Sequence, residues 1–316
     1  MGGWLESLVP WGTEAIIWAQ SFSSDGLGGI FRLLTFLGYE EFYLILLPIV
    51  YWCIDKGIGA SLGYASLLSA WVNSLVKCLF VIPRPADPRL EIPLPESSPS
   101  FPSGHAQNAV VNWGYLAVRF RRWIFTVLAV LLILGIGLSR VALGVHFPQD
   151  VLGGWIIGLA VLAIYVWAEP RAASWLADRS KGFQFALAVA VPLFLILLHP
   201  TDVKGRYPAE GANASMSALA GLGAGLIMER SQVRFRVQGA WWQRVLRFLT
   251  GLAVAALFYL GPKLVLPEEM AYGPEAVLRF LRYGLLGWVV AFLCPWLFVR
   301  LRLAAQDSGG GNSPGQ

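Results

Sequence analysis

The sequence predicts an all-α fold: a polytopic membrane helix bundle of about nine transmembrane helices, with the functional core in the first five. Three observations carry that prediction. Of 316 residues, 56% are hydrophobic and only 14% are charged, whereas a soluble domain carries about 25% charged residues. Apolar runs approaching the ~20 residues that a helix needs to cross a bilayer recur near 38–54, 59–82, 105–120, 123–143, 148–168, 183–199, 212–229, 245–263 and 283–301. Finally, the chain has 14 tryptophans, and indole favours the membrane interface.

Residues 1–37 read as an N-terminal interfacial segment. Within it, residues 4–20 carry Trp4, Leu5, Leu8, Val9, Trp11, Ile16, Ile17 and Trp18, but the run is short and interrupted by Pro10. It fits a helix lying on the membrane, with a tenth span as the alternative. Met1-Gly-Gly-Trp-Leu-Glu lacks the basic stretch of a signal peptide. Residues 38–168 form the core. Glu40 and Glu41, at the start of the first span, complement a helix dipole or gate a substrate. Between the second and third spans lie Pro83, Pro85, Pro88, Pro93, Pro95, Pro99 and Pro102. Residues 83–104 therefore form a non-helical loop, either a substrate-entry element or a connector. Residues 169–302 supply the additional spans. There His199 falls in a loop before Pro200, and Gly221, Gly223 and Gly225 suit close helix packing. The tail 303–316 is polar and glycine-rich, and reads as disordered. Cys53, Cys78 and Cys294 form neither an even disulfide set nor metal-ligand spacing, and read as packing residues.

The formal charge is +5. The basic residues are spread through short loops, which is a topology signal rather than a nucleic-acid surface. Alternating loops divide the 24 basic residues into fourteen and ten. The richer set, including Arg119, Arg121, Arg122 and Arg300, is expected in the cytoplasm, with the C-terminus on that side. The poorer set contains Lys77, Arg84 and Arg140.

Those three cations belong to two of three motif clusters. Lys77 stands seven positions before Arg84-Pro85, two helical turns, so both side chains are expected on one helix face. Pro102-Ser103-Gly104-His105 opens the third span: Ser103 suits an N-cap, Gly104 admits close backbone approach, and the free amides of a helix start favour an anion. Ser139-Arg140 is followed by His146 and, four residues on, Asp150, whose carboxylate can reach and orient the ring. Each cluster alone also has a plain structural reading: a snorkelling lysine, a routine cap, a buried His–Asp hydrogen bond. All three end at the same predicted membrane face, outside the cytoplasm. Cations beside hydrocarbon-grade sequence are costly unless they share an anionic ligand, and phosphate matches an arginine fork plus a lysine.

Lys77-x6-Arg84-Pro85, Pro102-Ser103-Gly104-His105 and Ser139-Arg140-x5-His146-x3-Asp150 resemble the three-part signature of the type 2 phosphatidic acid phosphatase and haloperoxidase superfamily, integral membrane branch, over roughly residues 38–168. The resemblance implies a metal-independent phosphatase that needs no cofactor. In it His146 attacks phosphorus and forms a phosphohistidine, Asp150 holds its ring, and His105 protonates the leaving oxygen. Lys77, Arg84, Ser103, Gly104 and Arg140 bind the phosphate. The expected partners are a lipid phosphate or diphosphate substrate and the bilayer, with no nucleic acid. Five core spans with four behind them are also similar in layout to glucose-6-phosphatase and some sphingosine-phosphate phosphatases, so a sugar phosphate is the alternative substrate. An anion transporter is the alternative of another class.

Overall fold

The computed structural model describes residues 3–22, 25–94, 96–265 and 271–307. Among them the chain is helical, with one isolated antiparallel bridge, Phe235 to Gln306. Its helices are α1 (Gly3–Ser7), α2 (Val9–Ser21), α3 (Asp25–Phe36), α4 (Glu40–Ile49), α5 (Lys56–Leu79), α6 (Gly104–Phe120), α7 (Trp123–Ala142), α8 (Pro148–Ala177), α9 (Lys181–Leu198), α10 (Glu210–Met228), α11 (Trp241–Val265), α12 (Tyr272–Trp288) and α13 (Cys294–Arg300). Single π-helical turns, Val50–Ile54, Glu229–Val233 and Val289–Leu293, extend α4 and α10 and join α12 to α13.

The chain is an integral membrane protein. Among the described residues, six helices are long and apolar enough to cross a membrane. The count is seven if the pair Gly26–Phe36 and Glu40–Ile54, bent by 57°, is one span. The nine expected spans thus include two helices, α5 and α6, that fall below this mark. The reason is physical: they carry Ser69, Asn73, Gln107 and Asn112, all buried in the protein interior, where polar side chains of a membrane bundle belong. The outer helices show the opposite pattern, as at Trp123, Ile124, Leu131, Ile156 and Ile164, which are exposed. Apolar surface on that scale is stable facing lipid. A second departure lies at the N-terminus: the expected interfacial segment 1–37 contains a separate helix, α3 (Asp25–Phe36). Of the expected disordered tail 303–316, residues 303–307 are instead packed, with Leu303 and Ala304 buried, Gln306 bridged to Phe235 and Asp307 paired with Arg236, and residues 308–316 lie outside the described residues.

The chain divides into two compact units. The first comprises residues 1–45, 61–178 and 194–216. Its centre is α6, which packs against α7 and α8. Close approach is set by two glycines one turn apart on α8: a Cβ at Gly154 would stand 2.6 Å from the Ser103 carbonyl oxygen, and one at Gly158 2.8 Å from that of Gln107. The α2 helix closes the end of this core, with Ile16 packed among Ala106, Val141, Phe147 and Val151. Trp4, Trp11 and Trp18 remain exposed. At the other end of α8, the Glu169 carboxylate accepts from the Ser61 and Tyr115 hydroxyls. The second unit comprises residues 46–60, 179–193 and 217–316. It is tied by Arg247, fully buried, which donates to the carbonyls of Trp52, Val237 and Gln238, and by a Lys56–Glu229 ion pair at 2.9 Å.

In this second unit the expected glycine packing is present. A Cβ on Gly221 of α10 would collide with the Gly284 carbonyl of α12, and one on Gly225 would stand 2.7 Å from Ala291 Cβ. Neither backbone can yield, so Gly221→Leu should lower the thermal midpoint in detergent by several degrees, overpacking costing about 1–3 kcal/mol. Gly182→Ala, where nothing lies within 4 Å, is the control, and equal midpoints for the two variants would contradict the packing assignment.

Candidate active site

Four helix ends and one loop meet in the first unit. Lys77 lies in the last turn of α5, His105 in the first turn of α6, Arg140 in the last turn of α7, and Asp150 in the first turn of α8. The structure brings together all eight residues singled out from the sequence: Lys77, Arg84, Ser103, Gly104, His105, Arg140, His146 and Asp150.

Local chemistry explains how each is held. The α7 helix ends at Ala142, and Gly144 takes a left-handed φ of +69°, the conformation that glycine adopts without strain after a helix. The chain then folds back, so that the Val145 and His146 amides both donate to the Arg140 carbonyl at 3.2 Å. Arg140 and His146, six apart in sequence, become neighbours. Pro148 starts α8, and Asp150 Oδ2 accepts from the Phe147 amide at 2.9 Å, satisfying a free donor of the helix start. The same oxygen faces His146 Nδ1 at 3.4 Å and accepts from Ser100 Oγ at 2.5 Å. Ser103 caps α6, its Oγ accepting from the Ala106 amide at 3.4 Å, and its own amide donates to the Asp150 carbonyl at 3.0 Å.

Arg84 reaches the site by a route the sequence did not predict. Helix α5 ends at Leu79, so Lys77 and Arg84 do not share a helix face. Pro83 and Pro85 favour an extended chain between and around them, and Arg84 enters from that strand-like segment. All five of its N–H donors are engaged. Nε donates to the Ser98 carbonyl at 2.8 Å. Nη1 donates to the Val145 carbonyl at 2.7 Å and faces His146 Nε2 at 2.9 Å. Nη2 donates to Glu96 Oε2 at 2.6 Å and to Ser98 Oγ at 3.0 Å. A guanidinium has no acceptor, so the His146 Nε2 lone pair must accept here, and the ring proton sits on Nδ1, toward Asp150. His146 is thereby held as a neutral imidazole with its Nε2 lone pair aimed into the cationic cluster.

Arg140, fully buried, donates to Thr35 Oγ1 at 2.5 Å and to Glu96 Oε1. Lys77 Nζ donates to the Pro99 carbonyl at 2.7 Å and to Ser98 Oγ at 2.9 Å. His105 packs edge-on to Tyr39, with ring centroids 4.6 Å apart, and the charges of Arg140, Lys77 and Arg84 act on it. Among the described residues its Nε2 and Arg140 Nε are both buried without a hydrogen-bond partner. Unmet buried polar atoms cost about 1–3 kcal/mol each, and a pocket that holds two of them beside three cations is suited to an anion.

Behind these groups runs a buried amide network. Asn73 Nδ2 donates to Gln107 Oε1 at 2.9 Å and to the Pro102 carbonyl at 3.4 Å, while Gln107 Nε2 donates to the Ser69 carbonyl at 2.8 Å. It joins α5 to the start of α6. Sequence reasoning missed Asn73 and Gln107, and also Thr35, Tyr39, Glu96, Ser98 and Ser100. Asn73 stands one helical turn before Lys77, a signal that was available. The loop residues have no periodicity that would reveal them.

Two family models match the chain: "PAP2 superfamily" over residues 58–174 and "PAP2 superfamily phosphatase, transmembrane extension" over residues 214–306. The chain belongs to the PAP2 superfamily. The PAP2 match contains every motif residue, and the extension match covers most of α10 and the helices α11 to α13, while α9 lies in neither match. Among curated relatives, mouse sphingosine-1-phosphate phosphatase 1 is 23% identical over 310 residues, covering 85% of this chain and 71% of that protein. Phosphatidylglycerophosphatase B of Bacillus subtilis is 40% identical over 74 residues, covering 20% of this chain and 36% of that protein. For most other curated relatives that match, the chain spans about half their length. A crystal structure of a transmembrane PAP2-type phosphatidylglycerolphosphate phosphatase from Bacillus subtilis aligns with a TM-score of 0.46 and 24% identity, over 54% of this chain and 89% of that one.

Burial, followed by the charges of Arg84, Lys77 and Arg140, holds His146 well below the ordinary imidazole value of 6.5. Both causes disfavour the protonated ring. Side-chain NMR of the PAP2 site should therefore show His146 titrating below pH 6.5, and Arg84→Gln should raise that midpoint by removing a repelling charge. A midpoint above 6.5 in the unliganded wild type would contradict the neutral assignment.

Proposed function

We propose that this protein is a membrane phosphatase that hydrolyses a lipid phosphate monoester or diphosphate through a phosphohistidine on His146. The observation that carries the reading is the His146 ring, whose Nε2 lone pair faces the cationic cluster while Asp150 takes up its Nδ1 side at 3.4 Å. In the first step His146 Nε2 forms a bond to phosphorus and the bond to the ester oxygen breaks. His105 gives a proton to that oxygen, and Asp150 stabilises the imidazolium. In the second step water attacks phosphorus, its proton passes to His105, the P–N bond breaks, and inorganic phosphate leaves with the imidazole restored. Lys77, Arg84, Arg140, the Ser103 hydroxyl and the Gly104 amide neutralise the charge on the transferring group, which is the main protein contribution to phosphoryl transfer. These cations supply the charge that a metal ion would otherwise carry, so we propose a metal-independent reaction with no cofactor.

The substrate reading rests on the membrane setting. A site at the ends of α5, α6, α7 and α8 is reachable along a bilayer by a headgroup whose tail stays in lipid. The relatives named above are described as acting on sphingosine 1-phosphate and on phosphatidylglycerophosphate. A water-soluble sugar phosphate remains the alternative. We further propose nine crossings: the bent pair as one, then α5, α6, α7, α8, α9, α10, α11 and the joined α12–α13. Loop charge supports a site outside the cytoplasm and a C-terminus inside, and the exposed Trp4, Trp11 and Trp18 support α2 lying at the membrane interface.

The decisive experiment is phosphate release by the purified full chain from phosphatidate, undecaprenyl diphosphate, sphingosine phosphate and glucose 6-phosphate. A lipid phosphate should be the best substrate, and His146→Ala should lower kcat by at least about a thousandfold. Turnover retained by that variant would remove His146 from the nucleophile's role, and phosphate flux without hydrolysis would favour an anion transporter. Loss of turnover in EDTA, restored by magnesium, would refute the metal-free scheme. Asn73→Ala should lower kcat about tenfold with a smaller change in KM, because it loosens the start of α6 without touching the reacting atoms.

A further inference from the structure

Glu96 is the part of the site that no motif contains, and its placement is specific. One carboxylate oxygen takes Arg84 Nη2 at 2.6 Å; the other takes Arg140 Nη2. The two arginines that a phosphate would share are thus already bridged, each by a separate oxygen of one anion. We propose that Glu96 is an internal competitor that occupies the phosphate position in the empty site, so that a substrate phosphate binds only by displacing it. The inference rests on the phosphatase reading given above and names the group that sets the site's affinity.

Three features support displacement over a permanent ion pair. The first is charge. Lys77, Arg84 and Arg140 present three cations, and Asp150 is committed to His146, the Phe147 amide and Ser100. A single carboxylate leaves that cluster undercompensated, and a phosphate with up to two charges compensates it better. The second is place. The Glu96 side chain is 26% exposed, while those of Arg140 and Arg84 are 0% and 13% exposed. The carboxylate sits on the solvent side of the cluster. It also belongs to the stretch between Leu79 and Gly104, where no helix holds it. The third is the unmet donor. Arg140 Nε remains buried and unpartnered with Glu96 in place. A tetrahedral anion offers a further oxygen that the planar carboxylate lacks.

The contact also governs the nucleophile. With Glu96 and Ser98 holding its other nitrogens, Arg84 keeps Nη1 at 2.9 Å from His146 Nε2. That lone pair cannot attack phosphorus while it accepts from Arg84. Displacement of Glu96 frees Nη2, lets the guanidinium move onto the incoming phosphate, and uncovers Nε2. One exchange of anions thus opens the binding position and the reactive nitrogen together.

The test compares wild type, Glu96→Gln, Glu96→Ala and Glu96→Asp as full chains in detergent or nanodiscs. Two readouts are used: KM and kcat on the best lipid phosphate, and the affinity for inorganic phosphate, measured by competition and by thermal shift. If the latch is closed about nine-tenths of the time, its removal lowers the apparent dissociation constant by up to about tenfold. Glu96→Gln and Glu96→Ala should then bind phosphate more tightly and show a lower KM, with the change falling on KM more than on kcat, while Glu96→Asp stays nearer wild type. Without phosphate, the two neutral variants should melt lower than wild type, since Arg140 loses its anion, and phosphate should raise their midpoint more than it raises the wild type's. Unchanged or weaker phosphate affinity in both neutral variants would overturn the proposal, as would a loss confined to kcat. A wild type that hydrolyses no phosphate ester would sink the phosphatase reading, and the phosphate-affinity arm would still decide the role of Glu96.

Discussion

The placement of Arg84 governs the site. Its five donors join the Pro-rich loop at Ser98 and Glu96, the α7–α8 turn at Val145, and the imidazole of His146. A guanidinium can do this because it is planar, permanently charged and wholly a donor. A lysine in its place could not contact both chain segments at fixed angles. The geometry also sets proton positions: because Arg84 only donates, His146 carries its proton on Nδ1, and Asp150 is its natural partner. The orientation of the His146 ring therefore follows from a residue more than sixty positions away in the chain.

Charge compensation in an apolar setting explains the rest of the pocket. Arg140 is fully buried, and an unpaired buried charge is costly, so its contacts are a hydroxyl from α3 and a carboxylate from the loop. The His–Asp pair is closed by Ser100, and the orphaned atoms, His105 Nε2 and Arg140 Nε, face the same cluster. An interior with this many donors and so few fixed anions is the electrostatic basis of the phosphate-binding reading proposed above.

Much of this was legible in the sequence. The motif spacing picked out eight residues that the fold brings together, and the hydrophobic runs located the helices that carry most of them. Pattern failed where local chemistry overrode periodicity. The Lys77–Arg84 interval reads as two helical turns, but the prolines flanking Arg84 favour an extended chain. Helices α5 and α6 read as ordinary spans, although their interior positions carry the polar network and lower their apolar character. Glu96 and Ser98 lie in a loop whose sequence has no repeat, so nothing but the fold could bring them onto the arginines. Thr35 and Tyr39 flank a bend between two helices, one at the end of the stretch read as a membrane surface segment (1–37) and the other at the start of the first expected span (38–54), and neither reading points to a site.

The amide network shows why the interior helices are less apolar than their neighbours. Asn73 and Gln107 are held by each other, by the Pro102 carbonyl and by Ser69, so their polar atoms meet protein and not lipid. In hydrocarbon a hydrogen bond has no competing water, and a satisfied network rigidifies what it joins. Here it joins the end of α5, which carries Lys77, to the start of α6, which carries Ser103, Gly104 and His105. The Gly154 and Gly158 gaps on α8 then let that helix start sit against Asp150. Two cooperating constraints, one polar and one steric, thus fix the separation between His105 and His146. Neither could be replaced by greater hydrophobicity, because apolar contacts between membrane helices have little preference over contacts with lipid. Lower hydropathy in α5 and α6 is the physical consequence of burying this polar network between membrane helices.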